Sequence, residues 1–316
     1  GISNETFEAI KDRSVRSLRN FPKQDAWRIV RTRSYEVAQG VNYSPEERVA
    51  VAETLTLTDV RAFAKTLYDR AYIEALVHGN VSLGRAVRFA KQLQATLGVS
   101  AIPKSATFEQ AHLVQQDPEG VWRVAKLEVN NSAFRRDYFF GPSTPRNRAA
   151  IQVLDAFINR PFFTELRTNQ QLGYIVYGGA GTLSSDPYNG YLFFIIQSST
   201  HTADEVEDRV EAFVDTYPGL FGALSQEDFD TFRLAAIEKL KEKAKTIAEK
   251  AGEFNTQAFD LEGNFGYEQE TIQALESLTK ADVAGLLETA LAKETRRIRT
   301  TLGFAREHEA KREVAS

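Results

Sequence analysis

Cysteine and methionine are both absent from the 316 residues. Without cysteine there are no disulfides, no thiol nucleophile and no thiolate metal site. Without methionine the initiator is missing too, which leaves a removed leader open. No apolar run approaches the ~20 residues that a membrane-spanning helix needs, and the start carries no signal-peptide pattern. An excess of positive charge is lacking as well. The formal net charge is −4, which argues against a nucleic-acid partner, because phosphate binding requires a basic surface. What is present is ordinary for a water-facing globular chain: 42% hydrophobic and 26% charged residues. The length suggests roughly two domains. Cytoplasm and periplasm are equally compatible with these features.

Histidine is scarce. His78, His112, His201 and His308 are the complete set, and no two lie within a helical turn of each other. A zincin-type site needs two imidazoles one turn apart plus a carboxylate. Neither His-x-x-Glu-His nor His-Glu-x-x-His occurs, so each histidine is expected to be a surface or capping residue. Gly-x-Ser-x-Gly is missing too, which removes the common serine-hydrolase signature. Gly178-Gly179-Ala180-Gly181 lacks the Lys-Ser/Thr of a phosphate loop and reads as a turn or bulge between two strands. Lys239, Lys241, Lys243, Lys245 and Lys250 alternate with Glu238, Glu242 and Glu249. This pattern predicts a solvated helix with paired charges; polyanion binding there stays open.

An internal repeat organises the chain. Leu55-Thr56-Leu57-Thr58-Asp59-Val60 returns as Leu278-Thr279-Lys280-Ala281-Asp282-Val283. Phe7 pairs with Phe232, Tyr43 with Tyr267 and Gly79 with Gly303, all at separations of 223 to 225. Each copy predicts a capping-box helix start at its Thr and Asp. Helices over Val60–Leu67 and Val283–Leu291 follow, then strands over Ile73–Val77 and Ile298–Leu302. Earlier in each copy lie helices Phe7–Leu18 and Phe232–Leu240. About a hundred residues precede the later copy and nothing precedes the earlier one. Residues 1–99 therefore read as the second half of a module whose first half is missing, with apolar surface or a sheet edge left open to self-association. Residues 100–120, with Pro103 and Pro118, read as a connection. Residues 121–316 read as a complete module.

That module reads as strands Val121–Val129 and Arg136–Phe140, a long helix, two strands, then helices and a last strand. Thr144-Pro145 supplies a cap and a proline at the first helical position. Tyr191-Leu192-Phe193-Phe194-Ile195-Ile196, apolar throughout, predicts an interior strand. Ser225 to Asp228 forms another capping box, and Pro218-Gly219 should interrupt the helix that begins near Thr202. The expected class is α+β, a mainly antiparallel sheet with helices packed on one side.

The most informative segment is Leu166-Arg167-Thr168-Asn169-Gln170-Gln171-Leu172-Gly173-Tyr174-Ile175-Val176. An amphipathic helix from Ile151 through Leu154, Phe157, Phe162 and Phe163 leads into it. Gly173 marks the expected turn into a strand. Arg167 suits a helix C-terminus by charge alone, so a capping role for it, with Tyr174 as a strand aromatic, is one available reading.

Leu-Arg-Thr-x-x-Gln-Leu-Gly-Tyr closely resembles the signature of the C-terminal half of the pitrilysin/insulinase (inverzincin) family of zinc metallopeptidases. The resemblance continues through Phe193-Phe194-Ile195-Ile196-Gln197-Ser198 and Arg209-Val210-Glu211-Ala212-Phe213. Weaker similarity runs from about Phe7, through Glu74 to Asn80, to about Phe304. It implies repeated α/β modules of the LuxS/metallohydrolase-like type, two in each half of a clamshell, with the N-terminal module here incomplete. It also implies that this chain holds no cofactor, because Zn2+ is bound by His-x-x-Glu-His in the N-terminal half, on the same or a separate chain. The expected partners are that half and extended peptides, with neither nucleic acid nor membrane. Arg167 is the implied substrate-binding residue, its planar fork of donors meeting peptide carbonyls. Tyr174 is the implied catalytic residue, its hydroxyl aimed at the scissile carbonyl. The chain alone is expected to be inactive. An inactive scaffold or partner subunit of the same family is the main alternative, and a chaperone-like peptide binder a third. Peptide identity and oligomeric state lie outside what these residues specify.

Overall fold

The computed structural model describes residues 1–38, 42–67, 69–107, 121–183 and 189–308. The first stretch of elements is α1 (Asn4–Arg19), α2 (Ala26–Ala38), α3 (Pro45–Thr54), α4 (Leu57–Thr66), β1 (Arg70–Ala71), α5 (Leu83–Leu97) and β2 (Ser100–Ala101). Then come β3 (Val121–Lys126), β4 (Ser132–Pro142), α6 (Pro145–Phe162), β5 (Ile175–Leu183) and β6 (Asn189–Ser198). The chain continues through α7 (Ala203–Val214), α8 (Tyr217–Gly222), α9 (Gln226–Lys241), α10 (Ile247–Asn255), α11 (Tyr267–Ser277), α12 (Lys280–Leu291) and β7 (Arg297–Phe304).

Five strands form one sheet in the order β3-β7-β4-β6-β5, antiparallel except for the parallel pair β3–β7. Alternation along the strands divides the side chains between two faces. Phe134, Tyr138, Leu192, Phe194, Ile196, Ile298 and Leu302 enter the main core with the apolar stripes of α6, α7 and α12. From α6 alone, Ile151, Val153, Leu154, Phe157, Ile158 and Phe162 are buried. Full burial of such a side chain is worth about 1.5–3 kcal/mol, so this stripe outweighs the ~1 kcal/mol that a helix cap such as Thr144 contributes. Most helices packed in the sheet's own unit thus lie on one side of an α+β sheet, as expected. The opposite face carries one further helix: α2 packs Ala26, Ile29 and Val30 against Leu127, Ala133 and Ile195.

A charged cluster is buried on that second face. Asp137 lies 2.7 Å from Arg135 and 2.6 Å from Arg299, while Ser34 of α2 donates to Asp137 and accepts from Arg299. Burial pushes the Asp137 carboxyl up, but the two guanidiniums more than offset this and hold it below the usual carboxylate range. On the helix side, Arg136 bridges Glu207 and Glu211 of α7 and donates to Thr300 of β7 at 2.8 Å.

The described residues group into two compact units that do not follow chain order. One comprises Asn20–Ser44, Ala111–Glu242 and Glu268–Ser316, and holds the sheet; the other comprises Gly1–Arg19, Pro45–Gln110 and Lys243–Tyr267. The segments 20–44 and 243–267 are related by the offset of the internal repeat, 223 positions. Each copy therefore places its corresponding segment in the unit dominated by the other copy. Residues 121–316 do not form a unit by themselves: the sheet unit uses Asn20–Ser44 and leaves out Lys243–Tyr267.

The repeat is visible in local chemistry. Thr56 with Asp59, and Thr279 with Asp282, form complete capping boxes. Before each box a cation on an earlier helix ties down the carbonyls: Lys11 bonds Glu53 O and Leu55 O, and Arg233 bonds Leu275 O and Glu276 O. The strands differ. β7 is eight residues long and interior, whereas Ile73–Val77 form no strand; the two-residue β1 precedes them and its partner β2 follows α5. Among the described residues no neighbouring strand receives its backbone groups, so that stretch lacks the ladder a strand requires.

Two further expectations are corrected. Gly178, Gly179 and Gly181 lie inside β5 rather than in a turn; a Cβ at Gly178 would come within 2.9 Å of Phe194, and one at Gly179 within 2.9 Å of Asp155 Oδ1. The lysine-rich run is not one helix. α9 stops at Lys241, and α10 starts afresh from the Thr246–Glu249 capping box, because Thr246 offers its side chain to the backbone. Pro218 does separate α7 from α8, as expected.

Candidate functional site

The segment that carries Arg167 and Tyr174 begins with α6. Thr144 accepts from the Asn147 N–H at 3.2 Å, and Pro145 occupies the first helical position. Near its other end Pro161 supplies no N–H, which disturbs the regular ladder. From Phe163 to Asn169 the helix widens into a π-turn, a feature often found at functional sites. Gln170 N–H donates to Glu165 O, and Leu172 N–H donates six residues back to Leu166 O, both at 2.9 Å. Leu166 and Leu172, fully buried, anchor this turn from both sides.

The left-handed residue that ends the helix is Gln171, at φ 53°, and not Gly173. Gly173 is needed for a different reason: a Cβ there would lie 1.9 Å from the carbonyl oxygen of Gln197 on β6. It is a close-approach glycine, which lets the chain enter β5 against its neighbour. The turn is further held by Glu165, which accepts from Asn169 Nδ2 at 2.7 Å and Gln170 Nε2 at 3.0 Å. Those two donors, Gln170 first, lower the Glu165 pKa. Arg209 of α7 then donates to Gln170 Oε1 at 3.2 Å.

The structure brings both predicted site residues together. The Arg167 guanidinium carbon lies 4.7 Å from the Tyr174 ring centroid and 5.2 Å from that of Phe163. Tyr174 is 77% exposed and Phe163 39%. Arg167 forms no ion pair or hydrogen bond with a described residue, so it does not cap the carbonyls of its helix. Its donors are available, held only by ring faces. Phe163, read from sequence only as part of an apolar stripe, belongs to this cluster. Its signal was its position four residues before Arg167, where helical side chains meet.

β5, at the sheet edge, leads away from Tyr174. Its outward N–H groups at Gly178 and Ala180 are taken by Asn159 Oδ1 at 3.3 Å and Asp155 Oδ1 at 3.1 Å. α6 thereby closes this part of the edge to strand addition. On the face opposite α6, Tyr177, Phe193, Tyr191 and Phe139 form a continuous ring ladder with centroid separations of 5.6, 5.7 and 6.3 Å. Burial, first, and the neighbouring Tyr35 push the Tyr191 phenol up to about 12.

The histidines sit apart. His78 meets the Phe254 ring edge-on at 5.0 Å, His201 Nδ1 lies 2.9 Å from Thr200 Oγ1, and His308 Nδ1 lies 2.9 Å from Ser132 Oγ. His112 falls outside the described residues. Glu205 caps α7 with Thr202 and does not join His201. Among the described residues no group of three or more His, Cys, Asp or Glu could hold a metal ion, and no helix is long and apolar enough to cross a membrane.

Comparisons with known proteins cover this segment and most of the chain. The family described as PQQ synthase PqqF-like, C-terminal lobe domain 4, matches residues 153–255, which include the whole Phe163–Tyr174 turn. Human insulin-degrading enzyme is 30% identical over 311 residues, covering 92% of this chain and 29% of that protein. The crystal structure of pitrilysin superposes with a TM-score of 0.84 at 20% identity, covering all of this chain and 33% of that one. A peptidase M16 inactive domain from Pseudomonas fluorescens superposes with a TM-score of 0.67 at 15% identity, over 99% of this chain and 73% of its own. The chain corresponds to the C-terminal half of pitrilysin/insulinase-type (M16) family proteins. It spans less than a third of the length of the curated relatives it matches.

Proposed function

We propose that this chain is the non-zinc side of a peptide-degrading metalloendopeptidase, closing over a substrate held by a zinc-bearing N-terminal half. The observation that carries this reading is the contact between half-buried Arg167 and exposed Tyr174, with guanidinium donors that no described residue consumes. Arg167 binds peptide carbonyls through its planar fork. The Tyr174 hydroxyl donates to the oxygen of the scissile carbonyl as negative charge develops there. Zinc supplies the activation of the attacking water when bound, and its ligands lie in the other half. An extended peptide is the substrate class, since the pair addresses backbone and not side chain.

The experiment is reconstitution: this chain mixed with the zinc-bearing half and assayed on an internally quenched peptide. Tyr174→Phe should lower kcat by about 10²–10³, the usual cost of one oxyanion donor, whereas Arg167→Ala should act chiefly on KM. Equal activity of both variants and wild type would defeat the assignment. The competing reading is an inactive scaffold, for which the peptidase M16 inactive domain from Pseudomonas fluorescens is the precedent. Saturable affinity of this chain for extended peptides discriminates, because a scaffold shows none.

A further inference from the structure

We infer that Phe163 is a positioning residue: its ring holds the Arg167 guanidinium against Tyr174, so that donor fork and phenol are presented as one pre-assembled unit. The inference rests on the peptide-binding reading above. It adds a residue that acts through Arg167.

An arginine with no hydrogen bond or ion pair has little to fix its long side chain, which is among the most costly to order. Arg167 is in that position, yet its guanidinium lies within 5.2 Å of Phe163 and 4.7 Å of Tyr174. Two ring faces replace the missing polar partners. Contacts of this kind restrain a guanidinium and leave its N–H groups unbonded. A carboxylate in the same place would instead occupy those N–H groups.

Phe163 also has no other evident task. It is 39% exposed, unlike its neighbour Phe162, which is fully buried against Phe194 and Phe213. Core packing at this turn is therefore carried by Phe162, Leu166 and Leu172. The side chain of Phe163 is directed to the surface, where an apolar ring gains little unless it has a partner. Glu165, Asn169, Gln170 and Arg209 fix the turn on which both Phe163 and Arg167 ride. The backbone is thus set by one network and the side chain by another.

The test uses the 316-residue chain with Phe163→Leu, which removes the ring at a surface position, and Phe163→Tyr, which keeps it. Two readouts are taken. The first is the ring-current shift of the Arg167 side-chain resonances by NMR. The second is the affinity for a fluorescein-labelled unstructured decapeptide. The expected result is that Phe163→Leu moves the Arg167 signals toward random-coil positions and weakens peptide binding several-fold, while Phe163→Tyr restores both. If Phe163→Leu leaves either the Arg167 signals or the peptide affinity at the wild-type value, the positioning role is overturned. A wild-type chain that binds no peptide, but whose Arg167 signals respond to Phe163, defeats the peptide-binding reading and supports the side-chain geometry. The two failures are therefore distinguishable.

Discussion

Arg167 reaches within 4.7 Å of the centre of the Tyr174 ring, across a helix-to-strand turn that separates the two residues by seven positions. A cation over an exposed ring is worth about 0.5–1 kcal/mol, enough to bias both side chains toward one arrangement. A double-mutant cycle on peptide affinity, with Arg167→Ala and Tyr174→Ala, should show non-additivity of about that size. Additive losses would mean that the two side chains act separately.

Gly173→Ala should be costly although no positive φ is involved. Its new methyl would sit 1.9 Å from Gln197 O, and backbone on both sides prevents an easy escape. Overpacking of this kind costs about 1–3 kcal/mol, and urea unfolding of the variant should show a loss at or above the top of that range. Gln171→Gly, at the left-handed position, should be neutral or stabilising, since it relieves a strain of about 1–2 kcal/mol at a smaller entropic cost. The opposite order of these two results would misassign the turn.

Asp137 is a buried carboxylate paired with both Arg135 and Arg299. Asp137→Ala should destabilise the sheet unit by about 3–5 kcal/mol, because two guanidiniums would remain buried without their counter-charge. Chemical denaturation measures this directly. A loss under about 1 kcal/mol would show that water reaches the cluster.

Asp282 gives a pH dependence of known sign. Its bond from Thr279, first, and its ion pair with Arg146 hold its pKa at about 2, against an ordinary 3.8. A depressed carboxyl contributes stability that is complete above the unfolded value and disappears as pH falls through the folded one. Thermal unfolding followed from pH 5 to 2 should therefore lose part of its midpoint between about pH 4 and 2. Asp282→Asn should flatten that part of the curve and lower stability at neutral pH, because the charge facing Arg146 is lost.

The unit that contains α1, α3, α4 and α5 leaves Ile2, Ile10, Val51, Phe63, Leu83 and Phe89 exposed, and α5 buries none of its residues. Patches of this kind associate. Sedimentation velocity should show concentration-dependent self-association of the chain, and a single monomeric boundary at all concentrations would contradict it.

Much of the fold was readable from local signals. Thr56, Thr144, Thr279 and Ser225 mark helix starts where the structure has them, and the continuous apolar run at Tyr191–Ile196 is an interior strand. Pairings over long distances were less legible. Nothing local distinguishes Gly178 in a strand from a glycine in a turn, since the reason lies in Phe194 on the neighbouring strand. The strand expected at Ile73–Val77 has the right residues but no ladder partner among the described residues. At the site, the Leu-Arg-Thr to Gly-Tyr wording singled out Arg167 and Tyr174. Phe163 was hidden because an aromatic at helical spacing reads as core until its exposure is known.

The reciprocal assignment of 20–44 and 243–267 limits how this polypeptide can be cut. Severing it at the proline-bearing stretch after residue 100 and expressing the remainder would strip α2 from the sheet and bare the charged trio around Asp137 to solvent. Neither piece obtained that way would be a domain in the folding sense, because each would have given up a helix to the other.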